Sequence, residues 1–592
     1  MLPVVVYDLE CYQNYFSAAF LTVESGRVQH FEMMNDQKFG PDQIKIIKMI
    51  MANTQVVGFN STSYDLPMLS LAVKGASTKQ LKKLSDDIIV NGVKHWEHQH
   101  KMLNAPNHID LIEVAPGQAS LKIYGGRMNA EKMQDLPLAP DSIIDESDAV
   151  LMRKYCENDL HTTALLYKTL EPQIKLRESL GAQYGLELRS KSDAQIAEAI
   201  IRSEVEAITK EKVKKPGECP GHSFQYTAPD FIKYNSEQLQ KALQVVTSAL
   251  FVVSESGSVT LPNPIADLKI SIGQSHYRMG IGGLHSTEKQ TAHYTDDDYV
   301  LVDRDVASYY PSIILNGGYA PTHLGKAFTK VYRTLVERRL EAKRTGDSVT
   351  ANSLKITING SFGKFGSKYS ILYSPELLIQ TTITGQLSLL LLIEMLEDKG
   401  ISVVSANTDG VVIKCPRKQI AIMDTIIWEW EARTNFVTEE TNYRALFSRD
   451  VNNYIALKDK GFKVKGIYSP PNLMKNPATP VVAKAVIKYL SDETPISKTI
   501  SECKDIREFL SIRTVKGGAV DQEGQRLGKA IRWYYSNSVT EPIRYEKNGN
   551  KVPRSEGARA LMNLDGEFPS DVDYTWYMNE GRKVLHEIGI EG

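Results

Sequence analysis

Tyr299-Val-Leu-Val302-Asp303-Arg-Asp305-Val-Ala-Ser308-Tyr309-Tyr310-Pro311-Ser312 opens the second half of the chain. Its first four residues are β-branched, leucine or aromatic, so the pattern predicts a buried strand over 299–302. Carboxylates follow at the strand end, and the chain must then turn tightly toward Pro311. A strand-end carboxylate beside such a turn has the parts needed to hold a metal ion next to a triphosphate.

Downstream, two long helical patterns break at Thr345-Gly346-Asp347, where Gly ends one helix and Asp caps the next, which predicts a helical hairpin. Lys355, Asn359 and Phe362 fall at i, i+4 and i+7 on the second helix, one stripe of its surface. Arg339 and Lys343 are an i, i+4 pair on the first, so the hairpin can aim three cations at one polyphosphate. Ile401 to Ala406 and Val411 to Ile413 flank Asn407-Thr-Asp409-Gly410, a β-hairpin signal whose tip presents a carboxylate.

The first 170 residues alternate strand and helix patterns: Val4 to Tyr7, Gln55 to Phe59, then a helix from Ser147 to Leu170. Asp8 and Glu10 sit two apart on the first strand and leave the same face, about 7 Å apart along it. Gly58-Phe59-Asn60 leads to Asp65, a third carboxylate at a strand end. Tyr155 and Asp159, at i, i+4, place a phenol beside a fourth. Hard divalent ions held by such acids can activate a water and stabilise the leaving oxygen of a phosphodiester.

The chain has 592 residues, enough for three or more domains, with 42% hydrophobic and 24% charged residues. A formal net charge of -1 excludes holding nucleic acid by bulk positive charge, so any such partner must lie in locally basic grooves. Five scattered cysteines fit a reducing compartment without a disulfide framework. Cys219-Pro-Gly-His222 lacks the second ligand pair of a zinc site and reads as a loop. No run of about eighteen apolar residues is found anywhere, so no segment is expected to span a membrane.

These residues in this order resemble the family B DNA polymerases. Asp8 with Glu10, Asp65, and Tyr155 with Asp159 are similar to the three exonuclease motifs of the DnaQ-like proofreading domain. The resemblance implies Asp8, Glu10, Asp65 and Asp159 as metal ligands, with Tyr155 placing the attacking water. The 303–312 segment resembles motif A, with Tyr309 replacing Leu. It implies Asp305, rather than Asp303, as metal ligand, Ser308 in the substrate site and Tyr310 as the steric gate against a 2'-hydroxyl. Lys355 to Gly363 resembles motif B, with Gly360 for Ser and Phe362 for Tyr. Motif C keeps Asp409 but has Asn407 at its first Asp and Gly410 for Ser, so Asp305 and Asp409 form the minimal ligand pair.

Asn453-Tyr454 and Lys463-Val-Lys465-Gly466 resemble the K-x-Y element, with Asn452 in place of Lys, and imply Tyr454 and Lys465 as primer-strand contacts. Gly280-Ile-Gly-Gly283 resembles the linker element before the polymerase. Lys516 to Tyr535 interleaves basic and aromatic residues and is expected to lie on duplex phosphates, or else to form a packed helix.

The implied fold is multidomain α/β and α+β: an RNase H-like exonuclease over 1–180, a connecting region over 181–295, and a right-hand polymerase. The latter comprises palm at 296–321 and 373–466, fingers at 322–372 and thumb at 467–592. The implied activity is template-directed DNA synthesis with 3'-5' proofreading, using two Mg2+ (or Mn2+) per active site. Primer-template DNA and dNTPs are the implied partners, with replisome proteins such as helicase and single-strand-binding protein. Compact length and the motif C variant look most like bacteriophage members, hence bacterial host cytoplasm, with nucleic-acid priming. The rivals are a nuclease with a degenerate polymerase half and an inactive scaffold.

Overall fold

The computed structural model describes residues 2–97 and 100–590. The chain mixes helices and sheets in two compact units, one of residues 1–192, 470–485 and 495–579, the other of residues 193–469, 486–494 and 580–592.

The first unit is built on a five-stranded sheet in the order Val28–Met34, Tyr15–Thr22, Val4–Cys11, Gln55–Gly58, His108–Asp110. The first three strands are antiparallel, and the last two run parallel to Val4–Cys11. Strand alternation sends Val5, Tyr7 and Leu9 into a core with the helices Pro41–Asn53, Asp65–Ala72 and Thr78–Ile89. Val6 goes the other way, into a core with Leu121, Tyr124, Cys156 and Leu160. Asp8 and Glu10 share that second face, so the sheet's pleat delivers both to the helix Glu146–Tyr184.

That helix runs past the expected end at Leu170, because Ile174, Arg177 and Leu180 are buried on it and Pro172 is tolerated within it. The expected boundary at 180 therefore falls inside a helix. Residues 467–592, expected as one terminal domain, are divided between the two units.

The basic and aromatic stretch near 530 is not a helix. It forms the strand Arg526–Tyr535, paired with Ser511–Val520, and its residues from Ala530 to Tyr535 are buried. Arg532 is fully buried and donates to the carbonyls of Ala130 (2.8 Å), Glu131 (3.2 Å), Leu561 (2.7 Å) and Met562 (2.8 Å). Trp533, Tyr534 and Tyr535 are core residues, which leaves Lys516 and Lys529 at the surface. Burial lowers the Arg532 pKa to about 10. Arg532→Met is expected to cost about 3 kcal/mol, since buried carbonyls lose charge-assisted partners, and to lower the urea unfolding midpoint. An unchanged midpoint would show that the cluster contributes nothing.

The second unit holds a seven-stranded sheet, in the order Thr438–Tyr443, Tyr299–Val306, Gly410–Pro416, Ser402–Asn407, Leu284–Ser286, Ser275–Met279, Ile270–Ile272. Val302, Val306, Val411 and Ile413 face a core with the helices Tyr309–Gly317, Pro375–Glu397 and Ile420–Thr434. Leu301 faces the opposite side, against Tyr443, Leu446 and Ala456. Asp303 and Asp305 share the Leu301 side.

The helix Pro375–Glu397 corrects one expectation, since by length and composition it is apolar enough to cross a membrane. It lies mostly buried in this core, and its polar residues are paired inside the unit: Thr381 with the Leu377 carbonyl (2.7 Å) and Gln386 with the Gly280 carbonyl (2.8 Å).

Candidate active sites

In the first unit Asp8 and Glu10 meet Asp65, at the N-terminus of Asp65–Ala72, and Asp159 on Glu146–Tyr184. Glu10, Asp65 and Asp159 are buried. Ligand atoms of Asp8, Glu10 and Cys156 lie within 4.8 Å of one another. Burial and then the charge of Asp159 raise Asp8 to about 7. Burial and then Asp8 raise both Glu10 and Asp65. Burial also raises Asp159, against the pull of Lys122. Like carboxylates about 4 Å apart repel by roughly 4 kcal/mol in such surroundings. The donor set therefore fits hard divalent cations.

Lys122, on the helix Leu121–Arg127, is the residue that sequence reasoning missed. It ion-pairs with Asp159, and its ammonium lies 4.4 Å from the centroid of the Tyr155 ring. A lone lysine in an amphipathic segment carries no signal of that placement. Tyr155 is itself buried, and burial and then the charge of Asp159 raise its pKa. Asp110, also buried, is occupied instead by the amides of Thr62 (2.8 Å) and Ile112 (3.2 Å), as a cap.

In the second unit the strand Tyr299–Val306 extends beyond its expected end and carries Asp303 and Asp305 on one face. Asp303 is buried and satisfied by the Tyr443 hydroxyl and the Lys463 ammonium (3.0 Å). The Asp305 side chain is 46% exposed, with Lys463 at 3.2 Å. Of the two, Asp305 is the one with room for a further ligand.

Asn407 pairs with Gly410 across a two-residue turn of Thr408 and Asp409, so the tip is Thr-Asp and not the expected Asp-Gly. Thr408 takes the left-handed conformation, φ 44°. Gly410 lies opposite Asp305, and a Cβ there would meet Asp305 Oδ1 at 2.2 Å and the Arg304 carbonyl at 2.9 Å. Glycine at position 410 thus has a steric reason. Gly283 plays the matching part behind the tip, where a Cβ would meet the Thr408 Cα at 3.0 Å, and Thr408 donates to the Leu284 carbonyl (2.8 Å). The glycine run anchors the hairpin.

Asp305, Asp409, Asn407, Tyr454, Lys463 and Lys465 line one cleft of about 240 Å3. Burial and then the Asp305 charge raise the Asp409 pKa, while burial chiefly lowers that of Lys465. Lys463, which stands in the sequence beside Lys465 and carries no expected role there, also lines this cleft. It stands two before Lys465 on an extended segment, so both can address the same side.

Tyr309 and Tyr310 are separated by burial. Tyr309 is a core residue whose hydroxyl donates to the Gly385 carbonyl (2.6 Å), whereas Tyr310 is half-buried and stacks on Phe362 at 4.4 Å between ring centroids. Ser308, itself left-handed at φ 51°, accepts a 3.0 Å hydrogen bond from Arg339, whose pKa burial lowers. This joins the turn to the helix Gly325–Thr345. Lys343 reaches Glu439 at 3.8 Å.

The hairpin turn is capped by Gly346 at φ 75° and by Asp347, which accepts from Thr350 N (3.0 Å). Lys355 and Asn359 are exposed on Ser348–Lys364, while Leu354, Thr357, Ile358 and Ser361 are buried on it. The helix Asp193–Thr209 packs against it so closely that a Cβ at Gly360 would meet the Asp193 carbonyl at 2.6 Å. Gly360 therefore answers to packing, away from the Lys355 stripe.

No protein-family model matches the chain, and no curated protein matches it. Among solved structures it is similar to the family B DNA polymerase of the hyperthermophilic archaeon Pyrobaculum calidifontis, at 16% identity and a TM-score of 0.41, over 100% of this chain and 78% of that one.

Proposed function

We propose that the chain is a template-directed DNA polymerase of family B with a 3'-5' proofreading exonuclease. The observation that supports this reading is the presence of two carboxylate centres, each in its own unit. One is buried around Asp8, Glu10, Asp65 and Asp159, and the other opens on the cleft of Asp305 and Asp409. Residues 296–321 and 373–466 act as palm and the hairpin within 322–372 as fingers. Within the thumb reading, 470–485 and 495–579 belong to the first unit.

Asp305 and Asp409 would hold Mg2+ or Mn2+ in one centre, and Asp8, Glu10, Asp65 and Asp159 would hold it in the other. Two such ions per centre would supply a lowered pKa for an attacking hydroxyl or water and charge neutralisation for the leaving group. Arg339, Lys343 and Lys355 bind the dNTP phosphates, with Ser308 and Asn359 beside them. Tyr454 and Lys465 contact the primer strand. Tyr155 orients the attacking water, and Lys122 pairs with Asp159. Primer-template DNA is the partner, replisome proteins such as a helicase and a single-strand-binding protein act with it, and the setting is bacterial host cytoplasm under a bacteriophage-type origin.

Tyr310, stacked on Phe362, excludes a 2'-hydroxyl. Tyr310→Ala is expected to raise incorporation of ribonucleotides relative to deoxyribonucleotides by about a hundredfold, the equivalent of roughly 2.7 kcal/mol of lost discrimination. The ratio of single-nucleotide insertion efficiencies measures it. An unchanged ratio removes Tyr310 from the gate.

A further inference from the structure

The turn that follows the Lys355 helix presents an aromatic ring to solvent. Tyr369 is 76% exposed, an unusual position for a tyrosine in a well-anchored segment. The turn is held from behind: Glu198 accepts from the Ser370 hydroxyl (2.9 Å) and the Ile371 amide (3.3 Å), and Ser370 is fully buried. Two ammonium groups flank the ring, Lys215 at 5.8 Å and Lys368 at 5.6 Å from its centroid. Glu218 positions both, at 3.8 Å from Lys215 and 3.2 Å from Lys368. Lys215 ends the run Lys210-Glu-Lys-Val-Lys-Lys215, in which four lysines outnumber one glutamate.

We infer that Tyr369, Lys215 and Lys368 form a binding platform for single-stranded DNA, a base stacking on the ring and the adjacent phosphates meeting the two lysines. An exposed ring with cations close over it has the two parts that sequence-independent single-strand binding uses, a π-face and a basic track. An acidic protein surface would use the lysines but leave the ring without a role. The inference rests on the polymerase reading above, under which the strand is the unpaired part of the template.

The test compares, in EDTA so that no chemistry occurs, binding of a fluorescent blunt duplex with binding of the same duplex carrying a template overhang of roughly 4–16 nucleotides, the span of one such site. The parent protein is expected to gain about tenfold in affinity from the overhang, and Tyr369→Ala to lose that gain while Tyr369→Trp keeps it. Lys215→Ala combined with Lys368→Ala should flatten the salt dependence of overhang binding by about 1.4 in log–log slope, at about 0.7 per phosphate contact. The platform is overturned if the parent gains nothing from the overhang or if Tyr369→Ala gains as much as the parent. Failure of the parent to bind even the blunt duplex would instead count against the polymerase reading. Tyr369 is at the surface, so its variants should melt with the parent.

Discussion

Asp409→Asn is expected to reduce primer extension about a thousandfold, equivalent to roughly 4 kcal/mol of barrier, whereas Asn407→Ala stays within about tenfold, or 1.4 kcal/mol. The two residues lie two apart and line one cleft, but their surroundings differ. The Asn407 amide is engaged in the hairpin itself: Oδ1 accepts from the Thr408 hydroxyl (3.1 Å), and Nδ2 faces the Val451 carbonyl at 3.5 Å. A neutral amide is also a poor ligand for a hard cation. Asp409 presents its carboxylate beside Asp305, and that mutual repulsion, after burial, is what raises its pKa. Steady-state extension rates of the two folded variants decide the matter. Equal losses would break the two-carboxylate account.

Asp8→Ala combined with Glu10→Ala is expected to abolish digestion of a single-stranded 3' end, by at least about a thousandfold, while extension persists. The two residues belong to the first unit, and Asp305 and Asp409 to the second. Removing two crowded carboxylates also relieves repulsion, so the variant should be no less stable to urea than the parent. Loss of both activities in a folded variant would contradict separate centres.

Much of this was legible in the chain because it depends on short-range geometry. The period of two placed Asp8 with Glu10 on a common face, and Gly346-Asp347 marked the hairpin turn. The choice between Asp303 and Asp305 rested on a resemblance, and burial supplies its physical side: Asp303 is spent on Tyr443 and Lys463. What stayed hidden depends on long-range contacts. Arg532 looks like a phosphate ligand until the carbonyls of Ala130 and Leu561 surround it. Gly360 and Gly410 look like lost hydroxyls until the Asp193 carbonyl and Asp305 are seen against them. Lys122 gives no local sign of its pairing with Asp159, 37 residues away in sequence.

The most direct measurement uses one primer–template duplex with a labelled primer, incubated with the protein and Mg2+. With dNTPs present the primer should lengthen to the end of the template, without them it should shorten from its 3' end, and EDTA should stop both. A primer unchanged under both conditions, from protein that is folded, would contradict the account.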